Sequence, residues 1–125
     1  MLLPNSQRAF KTARFSKDAK KASIKDDELC EAIAQVLAGQ ADDLGGGVYK
    51  KRLNNNMHRS IILAKGGIYW VYEYLFAKKD LGNIADDELV GLRLLAKSYA
   101  TLTHPQIEHL LADKDLLEIC HDHRH

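Results

Sequence analysis

Lys50, Lys51, Arg52, Arg59, Lys78 and Lys79 fall within one stretch of the chain, where the only acid is Glu73. Side chains of an extended strand alternate between two faces. Over residues 48–53, Val48, Lys50 and Arg52 therefore share one face, and Tyr49, Lys51 and Leu53 share the other. The apolar Tyr49 and Leu53 mark their face as the core side, so Lys50 and Arg52 point outward together. Arg59 opens the next strand-like run, and Lys78 and Lys79 close the one after. A meander brings such positions toward one end of a sheet, where they suit a phosphodiester backbone. The same set suits RNA cleavage, because a ribose 2′-hydroxyl attacks its own phosphate once it is aligned with the leaving 5′-oxygen. What the protein must supply is alignment, removal of the 2′ proton, charge for the crowded phosphorane and a proton for the leaving oxygen. Arginine forks across two phosphate oxygens as charge develops. Lysine accepts a proton only where burial or neighbouring cations depress its pKa. His58, beside Arg59, is of the side-chain type suited to acid–base work near neutral pH; the alternative is a solvated turn histidine. This chemistry requires neither metal nor cofactor, and no carboxylate cluster suited to magnesium stands out.

The elements that would position these residues follow from periodicity. Residues 10–15 alternate loosely and read as a first strand. Residues 17–22 read as a short basic helix. Asp26 or Asp27 can cap a second helix, whose Leu29, Ile33, Val36 and Leu37 recur at helical spacing and which Gly39 ends. Acids in its first turn favour the helix dipole. A glycine-rich loop over 42–47 reverses the chain. Three strands follow over 48–53, 58–64 and 68–78, joined by turns at Asn54-Asn55-Asn56 and Lys65-Gly66-Gly67. After a loop at 80–85, Asp86 or Asp87 caps a third helix with Leu89, Leu92, Leu95, Ala96, Tyr99 and Leu102 in one stripe. A last helix is expected over 105–119, with Pro105 at its first position. The predicted order is β-α-α-β-β-β-α-α, an α+β two-layer domain with an antiparallel sheet. Gly45-Gly46-Gly47 precedes a strand and opens no helix, so phosphate-loop and dinucleotide-binding readings fail.

The chain has 125 residues, which suits one domain, with residues 105–125 as a helical extension and tail. Its net charge of +1 conceals segregation. Residues 8–25 carry seven bases and one acid, and 26–47 carry six acids and no Lys or Arg. Residues 48–79 carry seven bases and one acid, and 80–125 carry nine acids and four bases. Whether a polyanion binds depends on how the basic blocks are arranged in space. No run is long and apolar enough for a membrane span, and the start lacks the layout of a secretory signal. Cys30 and Cys120 are too few for a disulfide framework and read as two small buried apolar groups, with a reducing cytoplasm as the expected location. Trp70, Tyr72, Tyr74 and Phe76 fall on one face of the last strand, expected as core beneath helices, with base stacking as the alternative. Cys120, His121, His123 and His125 have zinc-binding side-chain types, but a chain end reads as a solvated tail or tag remnant.

Several fragments, in order, resemble the RelE/HigB toxins of bacterial type II toxin–antitoxin modules. They are the run 43–52, Arg59, Phe76-Ala77-Lys78, Asn83-Ile84, Asp86-Asp87-Glu88-Leu89 and Leu94-Leu95-Ala96-Lys97, with Leu29-Cys30-Glu31-Ala32-Ile33 upstream. The likeness runs from about residue 10 to 119. It implies a RelE fold, cytoplasmic ribonuclease activity on mRNA in the ribosome, and inhibition by a cognate antitoxin, expected as a helix-turn-helix protein. Carried over by position, it implies a catalytic set of Lys50, Arg52, Arg59 and Lys79. Arg52 and Arg59 would steady the phosphate, Lys50 would be the general base, and Lys79 would lie near the leaving group. Lys51, His58 and Lys78 would contact substrate. The sequence departs from the family at residues 54–58, where relatives carry a longer basic hairpin, and at Leu81, where some carry Tyr or Arg. The same superfamily includes ParE-like toxins that bind gyrase without cutting RNA. A degenerate toxin that only binds its antitoxin or nucleic acid is a third expectation.

Overall fold

A computed structural model describes residues 7–65, 69–79 and 84–120. The first strand, β1, is Arg8–Thr12, and Thr12 ends it by capping the helix that follows. Its Oγ1 accepts the Phe15 N–H at 3.1 Å, which opens α1, Ala13–Lys21. The second helix, α2, is Asp26–Leu37. Its cap position is Lys25, and Asp26, Asp27 and Glu28 occupy the first turn, so Asp26 and Asp27 act through the helix dipole instead of as caps. The strands β2 (Asp42–Gly45), β3 (Val48–Leu53), β4 (His58–Lys65) and β5 (Tyr69–Ala77) follow. Then come α3 (Asp86–Ala100), α4 (His104–Ala112) and β6 (Leu116–Ile119). The cap of α3 is Ala85, with Asp86 and Asp87 again inside the first turn. Thr103 and Gln106 form a reciprocal capping box at the start of α4, near Pro105.

The six strands form one sheet in the order β2-β3-β4-β5-β1-β6. The expected meander, β3-β4-β5, is its centre, but β1 inserts beside β5 and runs parallel to it. The sheet is therefore mixed, not antiparallel throughout. Two strands were not expected. One is β2, in the stretch read as a loop. The other is β6, in the stretch read as the end of a helix: α4 stops at Ala112, and Lys114 takes a left-handed φ of 62° that turns the chain into the strand. Antiparallel β6 then closes the far edge against β1.

Helices cover both faces, so the two-layer expectation gives way to three layers. One core joins Phe15 and Ala19 of α1 and Leu29, Ala32, Ile33 and Val36 of α2 to Ala9, Leu53, Ile62, Trp70 and Tyr72 of the sheet. Across the sheet, Val48, Ile61 and Leu63 meet Ala96 of α3, and Phe10 and Val71 meet Ile107 of α4. The aromatics of β5 do not share a face as expected. Opposite β5, the register shifts between Ile61, which faces Tyr74, and Ile62, which faces Tyr72, leaving Glu73 as an extra residue. The bulge resets the alternation. Trp70 and Tyr72 enter the α1–α2 core, and Tyr74 and Phe76 pack with the α3 core.

The cysteines are also not separate. Cys30, in the first half of α2, is bonded to Cys120, just after β6, with Cα atoms 5.2 Å apart. Among the described residues no helix is long and apolar enough to cross a membrane.

Candidate functional site

The hairpin of β3 and β4 sets the geometry of the basic residues. Residues opposite one another on antiparallel strands lie on the same face. Arg52 is opposite Arg59, Lys50 is opposite Ile61, and Val48 is opposite Leu63. Val48, Ile61 and Leu63 lie under α3, so Lys50, Arg52 and Arg59 continue that face beyond its apolar part. The alternation expected for β3 holds, although the core occupies both of its faces: Val48 is buried on one, Leu53 on the other. Phe76 of β5 is opposite Arg59 on its other side.

The turn between the strands is built from Asn54, Asn55 and Asn56, with φ of 55°, 52° and 70°. Asparagine tolerates this left-handed conformation better than other side-chain-bearing residues. The Met57 N–H closes the turn on the Asn54 carbonyl at 3.0 Å, and the Lys78 N–H donates to the Met57 carbonyl at 2.8 Å. The end of β5 is thereby fastened to the turn, and Lys78 and Lys79, both exposed, follow directly beside it. Arg59 Nη1 donates to the carbonyls of Asn56 and His58 at 3.0 and 3.1 Å, and Nε and Nη2 make no hydrogen bond among the described residues. The His58 ring nitrogen Nδ1 lies 3.2 Å from the Asn54 amide nitrogen. With the amide nitrogen toward the ring, the imidazole proton sits on Nε2; with the amide reversed, Nε2 carries the lone pair.

Arg52, Arg59, Lys78 and Lys79 thus surround one end of the sheet, and His58, which is opposite Leu53, comes to that end from the other face. Arg52, Arg59, Lys78 and Lys79 form no ion pair among the described residues. Lys50 lies one pleat farther along the same face and is already engaged: its Nζ is 3.6 Å from the Asp42 carboxylate of β2. Lys51 is on the opposite face. Its pKa is lowered, first by burial and then by the charge of Arg52. The earlier basic block does not join this cluster. Arg14, Lys17, Lys20 and Lys21 lie on α1, whose Phe15 and Ala19 pack against the opposite face of the sheet, while Arg8 and Lys11 of β1 are held by Glu108, Glu118 and Asp26, and Lys25 stands at the start of α2.

Three contributors were missed by sequence reading. Glu28, read only as a dipole-favouring acid, accepts the Asn54 backbone N–H through Oε2. Asn54 and Asn56, read only as a turn, hold His58 and Arg59. The signal present in the sequence was the run of three asparagines, which favours left-handed backbone and local side-chain bonds. Among the described residues no group of three or more His, Cys, Asp or Glu side chains is placed to hold a metal ion. The histidines weighed as zinc ligands, His121, His123 and His125, lie outside the described residues, as do Leu81 and Asn83.

A family model described as the RelE toxin of the RelE/RelB toxin–antitoxin system matches residues 7–119. No curated protein and no solved structure matches the chain.

Proposed function

Because the chain belongs to the RelE toxin family, the toxin half of toxin–antitoxin systems, we propose that it is an endoribonuclease acting on mRNA in the ribosome of the producing cell. The observation that carries this reading is the Arg52–Arg59 pair. Like charges directly opposite on neighbouring strands destabilise a sheet, yet neither guanidinium is paired with a carboxylate among the described residues. A phosphate between them would relieve that repulsion.

In the proposed mechanism the 2′-hydroxyl attacks the adjacent phosphate, and the bond to the 5′-oxygen breaks. Arg52 and Arg59 accept the growing charge on the non-bridging oxygens through charge-assisted hydrogen bonds. Lys50 is the group assigned to the 2′ proton, and it must exchange its Asp42 contact to reach it. His58, with Asn54 supporting either ring tautomer, is the second acid–base group. Lys79 stands by the leaving oxygen and Lys78 binds the flanking backbone, whereas Lys51, on the opposite face of the sheet, does not make the substrate contact expected of it. The proposed partner is a cognate antitoxin, a helix-turn-helix protein encoded beside this chain, which silences the toxin.

The test is induced expression with mapping of mRNA 5′ ends. Wild type is expected to arrest growth and generate new 5′ ends within coding regions. Arg59→Ala should relieve arrest and lower cleavage about 100-fold or more, the typical effect of losing one transition-state donor, with an unchanged circular dichroism spectrum. Full toxicity in a folded Arg59→Ala protein would remove this site from the mechanism. A DNA-damage response without mRNA cleavage would point instead to a gyrase-directed toxin.

A further inference from the structure

The first half of α2 is fastened to the sheet at several points. Asp26 Oδ1 accepts from Lys11 Nζ of β1 at 2.6 Å. The Leu29 carbonyl accepts from the buried Tyr72 hydroxyl of β5 at 2.7 Å. Cys30 is bonded to Cys120 beside β6. Between these anchors Glu28 reaches to the end of β3 and takes the Asn54 N–H.

That contact falls on a turn that does not hold its own shape at no cost. Each left-handed, side-chain-bearing residue is unfavourable, and three in succession persist only where the surroundings over-determine them. Asn54 is the first of the three. Its side-chain amide meets His58, and two carbonyls of the same segment, Asn56 and His58, hold Arg59. A carboxylate bonded to a backbone N–H is one of the stronger hydrogen bonds available.

Resting on the reading of this cluster as an RNA-cleaving site, we infer that Glu28 is a positioning residue, which fixes Asn54 from the clamped turn of α2 and thereby holds the turn that sets Arg59 against the scissile phosphate and keeps the His58 ring at the same end of the sheet. Glu28 need not touch RNA. Its charge matters less than its reach as an acceptor, so glutamine should replace it and alanine should not.

The test compares full-length wild type, Glu28→Gln and Glu28→Ala. The readouts are kcat and KM for RNA cleavage, amide hydrogen exchange at Asn54 and the 15N shifts of the His58 ring. Alanine suits a helix, so the fold should persist. Glu28→Ala should speed Asn54 exchange about tenfold, the loss of one charge-assisted hydrogen bond, and alter the His58 ring signature. Its kcat should fall about tenfold to a hundredfold, the scale of a small misplacement of reacting groups, while KM changes far less. Glu28→Gln should restore both exchange and kcat to within about threefold of wild type. Wild-type Asn54 exchange in Glu28→Ala, or a Glu28→Gln variant no better than alanine, would overturn the inference. Should wild type cut no RNA, the proposed function fails, and the exchange and ring-shift comparison still decides whether Glu28 holds the turn.

Discussion

Glu73 is a carboxylate kept where its charge is resisted. As the extra residue of the β5 bulge it is partly buried, and the Tyr99 hydroxyl of α3 donates to it at 3.1 Å. Burial holds its carboxyl above the ordinary carboxylate range, and the Tyr99 hydrogen bond pulls the other way without cancelling it. Burial likewise raises the Tyr99 hydroxyl, and the Glu73 charge raises it further, so the phenol stays a donor. The sign of the pH effect follows. A carboxyl raised on folding binds its proton in the native state over a range where the unfolded chain has lost it. Its contribution to stability is present below the ordinary carboxylate range and is lost as pH rises through the folded value. Glu73→Gln, which keeps an acceptor for Tyr99, is therefore expected to melt above wild type at pH 7, with the gap narrowing toward pH 4. Thermal melts at both pH values check this, and equal Tm values at pH 7 would show that burial of Glu73 carries no cost.

At the scale of elements, the hairpins depend on a few backbone positions. Gly47, between β2 and β3, has φ of 84°, and a Cβ there would lie 2.9 Å from the Ala64 carbonyl oxygen of β4. The Gly47 carbonyl also accepts the Ala64 N–H at 2.8 Å. Gly47→Ala should cost about 1–3 kcal/mol in chemical denaturation, since strain adds to a clash with backbone that cannot rotate away. Gly39→Ala, with φ of 85° but open space around its Cβ, should lose less. The central elements were legible because local pattern decides them. The strands expected over 48–53 and 58–64 appear as Val48–Leu53 and His58–Lys65, and the three asparagines do form their turn. The face shared by Lys50 and Arg52 was legible for the same reason, whereas its meeting with Arg59 needed the register. Where tertiary contacts decide, local pattern misled. Leu116, Leu117 and Ile119 fit a continuing helix as well as a strand, and only pairing with β1 chooses the strand. The Glu73 bulge inserts one residue without any local punctuation, so the aromatics of β5 were assigned to one face. The parallel pairing of β1 with β5 joins segments separated by α1, α2, β2, β3 and β4, and no spacing in the sequence announces it.

At the scale of the whole molecule, the first and last strands form one side of the sheet. Here β1 lies between β5 and the four-residue β6, and Arg8 donates to both carboxylate oxygens of Glu118 at 2.8 Å. Backbone pairing over so short a strand is a modest restraint, and its outer edge pairs with no strand among the described residues. The Cys30–Cys120 bond closes a loop of 90 residues around this side and ties β6 to the helix that carries Glu28. Cross-linking across so long a loop restricts the unfolded chain strongly, and loss of such a bond typically costs about 2–5 kcal/mol. The expected outcome is that a dithiol reductant lowers the denaturation midpoint of wild type, that Cys120→Ser lowers it by a similar amount, and that the reductant adds nothing in Cys120→Ser. Denaturant titration with and without reductant measures this, and alkylation of the unreduced protein followed by intact mass counts the free thiols. Two alkylated thiols in unreduced wild type would leave the burial of Cys30, and not a covalent tie, as what these residues contribute. A bond present without a shift in midpoint would mean that Arg8, Glu118 and the β1–β6 pairing hold the C-terminal strand unaided.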